Sequence, residues 1–177
     1  MLISYKLDDV GAFTLNELQQ CAQLVKFGGA TILTEQQIQQ KLSEQFSTLA
    51  IAKTDDGRVI SCAAVRLTYN MFKSEHIANR WFETFGQHKP ILFELASIAT
   101  HHTYKKRALA SILCKMLLHR MRFVYDDTEC YIFATTQESN AGSRRLLLSL
   151  GFREHDTDGR MSKAKPEDRL LLYTAKL

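Results

Sequence analysis

The sequence predicts a mixed α/β domain built on one sheet, and three observations carry that reading. Two capping boxes, Thr14/Glu17 and Thr34/Gln37, each precede apolar residues at helical spacing. The tripeptide Asp55-Asp56-Gly57 separates two strand-like runs, a strong hairpin signal. The segment 91–100, ILFELASIAT, is nearly all apolar, as a central strand covered on both faces would be.

The elements follow in order. Leu15, Leu18, Ala22 and Val25 trace one face of a first helix, which Phe27-Gly28-Gly29 breaks. Ile38, Leu42 and Phe46 mark a second. The hairpin strands are expected at 48–54 and 58–68. Ile77, Trp81 and Phe85 suggest an inserted helix within 69–90, stopped by Pro90. After the strand at 91–100, Leu109, Ile112, Leu113, Met116 and Leu117 line a further helix. A strand is expected at 129–135 and a helix at 140–150, ended by Gly151. Residues 152–157 and 169–176 read as a closing pair of strands. The order is β-α-α-β-β-(insert)-β-α-β-α-β-β, a mixed α/β domain.

Composition bounds the function. The 177 residues suit one domain, 1–177, and 45% hydrophobic with 24% charged residues is ordinary globular usage. The net charge of +4 suits an anionic small ligand and falls short of a dedicated nucleic-acid binder. Cys21, Cys62, Cys114 and Cys130 form no C-x-x-C pair and sit in apolar stretches, as buried, inert, reduced thiols do. The N-terminal residues show no basic region followed by an apolar run, and no stretch approaches the ~20 apolar residues of a membrane span. A cytoplasmic location without membrane contact is expected.

The chemistry concentrates between Glu94 and Leu113, ELASIATHHTYKKRALASIL. An apolar strand runs into the cations Lys105, Lys106 and Arg107 and then directly into an amphipathic helix. Unpaired N–H groups beside the positive end of a helix dipole bind phosphate readily. Ala108 and Ala110 would let a ligand approach the backbone closely. A solvated basic turn is the plainer alternative.

These residues resemble the GNAT superfamily of N-acetyltransferases. Its pyrophosphate signature is [Q/R]-x-x-G-x-[G/A], within a longer V-H-P-x-Y-R-x-x-G-x-G. His101, Tyr104 and Ala110 match, Lys105 is a cationic substitute at the first position, and Ala108 replaces the usual glycine. Alanine fits there if its φ is already helical, as in a first helical turn. Downstream, the family's N-x-x-A-x-x-L-Y-x-x-x-G-F corresponds to residues 140–152, NAGSRRLLLSLGF. Asn140, Leu146, Gly151 and Phe152 fall in register, and Ser143 is small where alanine is usual.

The resemblance implies a mixed, mostly antiparallel sheet of about six to seven strands, flanked by about four helices plus the inserted one. It implies direct transfer of acetyl from acetyl-CoA to a primary amine through a tetrahedral intermediate, with no metal. The pyrophosphate would be held by Lys105, Lys106, Arg107, Ala108, Leu109 and Ala110, with Asn140 and Ser143 also on the coenzyme. A backbone N–H among Ile98, Ala99 and Thr100 would bind the oxyanion, and the pantetheine arm would pair with the same strand edge. Glu94, which interrupts the apolar strand and stands where related histone acetyltransferases carry a glutamate, would be the base, or would serve structurally, bound to neighbouring backbone or to a cation at the strand entrance. The family's usual proton-donating tyrosine falls at Leu147, which leaves solvent or another group, Tyr104 and Tyr173 among the candidates, to protonate the thiolate.

Weaker signals surround these. His101-His102 lacks the partners of a metal site. Arg144-Arg145 would touch a CoA phosphate or stay solvated, and Trp81, Phe82 and Phe85 would line an acceptor pocket or pack in the core. The acceptor site would be built from 27–33, 69–90 and 155–168, and the chain would act as monomer or homodimer. The competing readings are a CoA-binding regulatory module with little or no catalysis, and a nucleic-acid-binding domain, which would need aromatics among its cations.

Overall fold

A computed structural model describes residues 2–28, 33–67, 90–155 and 170–177. Seven strands are hydrogen-bonded in the order β1-β2-β3-β4-β5-β7-β6. They are β1 (Ile3–Asp9), β2 (Thr48–Thr54), β3 (Val59–Leu67), β4 (Ile91–Thr100), β5 (Cys130–Gln137), β6 (Arg153–His155) and β7 (Leu170–Lys176). Four helices are described: α1 (Leu15–Phe27), α2 (Glu35–Gln45), α3 (Leu109–Val124) and α4 (Ala141–Ser149). The β1–β2, β2–β3, β5–β7 and β6–β7 ladders are antiparallel and β4–β5 is parallel. This is the mixed, mostly antiparallel sheet expected. The inserted helix of 69–90, with Trp81, Phe82 and Phe85, lies outside the described residues, as do most of 155–168 and Gly29 to Ile32.

The residues cluster into two compact units, 1–66 with 95–123 and 67–94 with 124–177. In the first, α1 and α2 lay Leu18, Cys21 and Leu42 against Leu49, Ile51 and Cys62 of β2 and β3. Both helices start where the capping boxes place them. Thr14 Oγ1 accepts from Glu17 N–H at 3.2 Å while Glu17 Oε2 accepts from Thr14 N–H at 2.9 Å, and Thr34 with Gln37 repeats the pattern at 3.2 and 2.9 Å. Glu17 does more than cap. Its buried carboxylate also takes Lys6 Nζ at 3.1 Å and Lys53 Nζ at 2.9 Å, tying α1 to β1 and β2. Burial pushes this carboxyl up, but the Thr14 N–H and the two lysines outweigh it and hold the pKa at about 2. Gly57, at φ 82, turns the β2–β3 hairpin, where Thr54 N–H donates to Arg58 O and Gly57 N–H to Thr54 O.

In the second unit, β5 and β7 bury Ile132, Phe133, Leu172 and Tyr173. Asn140 Oδ1 caps α4 by accepting from Ser143 N–H at 3.0 Å. Gly151, at φ 86, ends the helix, with Phe152 N–H returning to Leu147 O at 3.1 Å, a Schellman closure.

β4 departs from expectation in coverage. Only Leu92, Phe93, Leu95 and Ala99 are buried, and the others, Glu94 included, are half-buried. The parallel ladder to β5 runs only from Ile91–Cys130 to Glu94–Phe133. All four cysteines are buried and free, as expected. Burial pushes Cys114 up to about 12 and raises Cys130, and the Cys62 thiol followed by burial raises Cys21, so these three stay protonated and poorly nucleophilic at neutral pH.

Candidate functional site

β4 ends in a loop that leads into α3, and three backbone positions along this path are left-handed although none is glycine: Ser97 (φ 53), Lys106 (φ 67) and Ala108 (φ 57). The helical φ expected for Ala108 is therefore wrong. Its N–H precedes the first helical residue, and the chain must turn sharply between Lys105, which is extended at φ −57 and ψ 155, and α3. A left-handed L-residue costs ~1–2 kcal/mol, and the same strain falls on Lys106.

The strained turn leaves polar groups bare. The backbone N–H groups of Lys106 through Ser111 have no hydrogen-bond acceptor among the described residues, and the first helical bond runs from Ile112 N–H to Ala108 O at 2.9 Å. Thr14, Thr34 and Asn140 cap α1, α2 and α4 with side-chain oxygens. The residue before α3 is Ala108, which has no side-chain oxygen to offer. Exposed Lys105, Lys106 and Arg107 add charge beside this helix start, so the segment is suited to an anion with several oxygens.

The start of the loop is tied down. His101 N–H donates to Ile60 O at 2.8 Å, and its ring faces Arg58 Nη2 at 3.1 Å and Thr103 N–H at 3.4 Å. Burial, His102 and Arg58 all lower the His101 pKa, so the ring stays neutral at pH 7. The His101 and His102 rings lie 4.4 Å apart, and Arg107 sits 5.4 Å over the Tyr104 ring.

The amides of β4 take opposite directions. Ser61 Oγ on β3 donates to Ala99 O at 2.9 Å, and Cys62 Sγ donates to Ser97 O at 3.4 Å. Every described peptide is trans, so each carbonyl points opposite to the N–H that follows it. The Ile98 and Thr100 N–H groups therefore point away from those β3 side chains. Ala99, whose carbonyl faces β3, turns its own N–H the same way in extended backbone. Of the three expected oxyanion donors, Ile98 and Thr100 face outward and Ala99 does not.

Other anticipated residues are placed as follows. Glu94 is half-buried on β4, opposite Phe133 in the ladder. Asn140 and Ser143 form the α4 cap. Arg144 donates to Tyr173 Oη at 3.2 Å, Glu138 O at 3.4 Å and Glu154 Oε2 at 3.4 Å, so it is held within its own unit. Tyr173 is fully buried and its hydroxyl donates to Glu154, while burial and that carboxylate raise its pKa. Leu147 is buried apolar packing. No group of three or more His, Cys, Asp or Glu side chains among the described residues is placed to hold a metal, and no described helix is long and apolar enough to cross a membrane. Sequence reasoning gave no sign of the bend at Ser97 or of the bonds from Ser61 and Cys62 to β4. The only hint was a pair of small residues, Ala96-Ser97, interrupting an apolar strand.

The acetyltransferase (GNAT) family model matches residues 14–152. No curated protein sequence matches. Among solved structures, Arabidopsis thaliana NAA60 in complex with acetyl-CoA is similar at TM-score 0.70 and 13% identity, over 99% of each chain. The ribosomal-protein-S18-alanine N-acetyltransferase from Escherichia coli gives 0.66 and 14%, over 98% of this chain and 93% of that one. The NatC complex bound to Gag peptide and CoA gives 0.71 and 14%, over 100% and 99%.

Proposed function

Since this chain belongs to the GNAT acetyltransferase family, we propose that it transfers acetyl from acetyl-CoA to a primary amine by direct attack of that amine on the thioester. The observation that carries the reading is the run of N–H groups from Lys106 to Ser111 that have no acceptor among the described residues, shaped by left-handed Lys106 and Ala108. These amides, with the charges of Lys105, Lys106 and Arg107, would hold the coenzyme diphosphate, and Leu109 and Ala110 would bring it against the helix start.

The remaining roles follow from the chemistry of the step. The Ile98 and Thr100 N–H groups would meet the thioester oxygen and the pantetheine arm, and an amide aimed at the developing oxyanion is worth most where charge appears. A lysine-like ammonium, pKa ~10.4, must lose its proton before attack. Glu94 would take it, three residues before the Ser97 bend. The leaving thiolate is tolerable at a thiol pKa of ~8.5, so solvent would protonate it where Leu147 replaces tyrosine. Tyr173 is a poor substitute, because its hydroxyl is buried and committed to Glu154.

The acceptor belongs to the same reading. One similar structure is a protein-alanine N-acetyltransferase and another holds a peptide with CoA, which favours a peptide or protein amine over a small metabolite. The test is calorimetry with coenzyme A, followed by thiol release from acetyl-CoA against a panel of peptides and small amines. Heat and amine-dependent release are expected. No heat with millimolar coenzyme A sinks the reading, and binding without release to any amine would favour a non-catalytic CoA-binding module.

A further inference from the structure

Two consecutive β3 side chains reach to the β4 carbonyls at its bend. The Cys62 thiol donates to Ser97 O at 3.4 Å, and its sulfur lies 3.9 Å from Cys21 O on α1. Ser61 Oγ donates to Ala99 O at 2.9 Å, which leaves its lone pairs to accept from Thr100 Oγ1 at 2.8 Å. Ser61 and Cys62 are fully buried, so no water competes for these bonds. A hydroxyl is the stronger holder and a thiol the weaker.

These contacts act on a strained element. Ser97 is left-handed without being glycine, a conformation that lasts only where its surroundings over-determine it. A bond to Ser97 O on one side and to Ala99 O on the other fixes the peptide planes before Ile98 and before Thr100. Each plane sets the direction of one outward N–H. Neither β3 side chain faces the edge where those amides point, so neither touches a reacting atom.

We propose that Ser61 and Cys62 are positioning residues for acyl transfer, which hold the bend at Ser97 and thereby aim the Ile98 and Thr100 amides, one at the thioester carbonyl and the other at the pantetheine arm. The proposal rests on the acetyltransferase reading above. It separates two properties of the protein: coenzyme affinity resides in the 105–111 segment, whereas thioester polarisation depends on two buried β3 side chains.

The probe is acetyl-CoA carrying a carbon-13 label in its acetyl carbonyl, bound to the full chain and read by infrared difference spectroscopy. In the wild type the thioester stretch moves to lower frequency on binding, as hydrogen bonding to a carbonyl requires. Ser61→Ala returns the stretch toward its free position and slows thiol release about tenfold, less than the hundredfold or more of deleting an oxyanion donor outright. Cys62→Ala acts in the same direction but less, and both keep coenzyme A affinity within about threefold, because the phosphate-binding amides are unchanged. Ser61→Thr and Cys62→Ser, which retain a donor, restore the shifted stretch, a rescue that packing alone would not produce. If Cys62→Ala fails to fold, Ser61→Ala and Ser61→Thr decide the matter. A wild-type stretch and rate in Ser61→Ala overturn the proposal while leaving the acetyltransferase reading intact. Absence of coenzyme A binding by the wild type removes both.

Discussion

Replacing Ala108 by glycine should stabilise this protein, against the usual direction for a residue at a helix start. At φ 57 the Ala108 methyl carries a left-handed penalty of ~1–2 kcal/mol. Glycine removes that penalty but gives the unfolded chain more freedom, a loss of ~0.5–1 kcal/mol. The balance is a gain of up to ~1.5 kcal/mol, with a midpoint near ~0.7. For a domain of this size ~1 kcal/mol moves Tm by ~2–4 °C, so the midpoint corresponds to a rise of roughly 1–3 °C. The internal control is Ala110→Gly, two residues on and inside α3, where the same chemical change should cost up to ~1 kcal/mol. Urea denaturation of both variants without ligand gives the two signs directly. Equal destabilisation by the two substitutions would falsify the left-handed assignment, and with it the reason the helix-start amides lack acceptors among the described residues.

Three further outcomes are expected. Gly151→Ala should destabilise by ~1–2 kcal/mol, because φ 86 and the Schellman return from Phe152 to Leu147 must be kept by a residue that resists that angle; the midpoint of urea unfolding measures it. Glu17 has its pKa depressed from 4.5 to about 2 in the folded chain, so its stabilisation is complete above ~5 and is lost as pH falls through 4.5 toward 2. That amounts to ~3 kcal/mol at most, nearer ~2 after screening of the partly exposed lysines; Glu17→Gln should flatten the acid limb of a stability–pH curve, and an unchanged limb would show the carboxylate is not its source. Glu94→Gln should lower turnover at neutral pH severalfold or more while calorimetric affinity for coenzyme A stays nearly constant, and unaltered turnover at limiting pH would remove Glu94 as the base.

The parts of the fold that were legible are those encoded by neighbours in sequence. Thr14 with Glu17 and Thr34 with Gln37 lie three residues apart, within one helical turn, and Asp55-Asp56-Gly57 brings its own left-handed glycine. The bends at Ser97, Lys106 and Ala108 were illegible for the converse reason. Positive φ is read from glycine, and Ser97, which carries a Cβ, is held there by a group distant in sequence, Cys62, 35 residues before it. Glu17 shows the same division within one side chain. Its capping role is local and visible, whereas its bond to Lys53, 36 residues on, exists only once β2 lies beside α1. The N-x-x-x…G-F pattern located α4 and its closure, yet gave no sign that Arg144 would be drawn to Tyr173 and Glu154 rather than outward.

The start of α3, whose amides have no acceptor among the described residues, would couple ligand to scaffold. Two strained residues, and six amides without an acceptor among the described residues, weaken that stretch of the free chain, and a bound diphosphate would complete what Ala108 cannot. Melting temperature should then climb with coenzyme concentration along the mass-action curve for one site. Damage to the grip itself, as opposed to the backbone that shapes it, would stay invisible until the coenzyme is added.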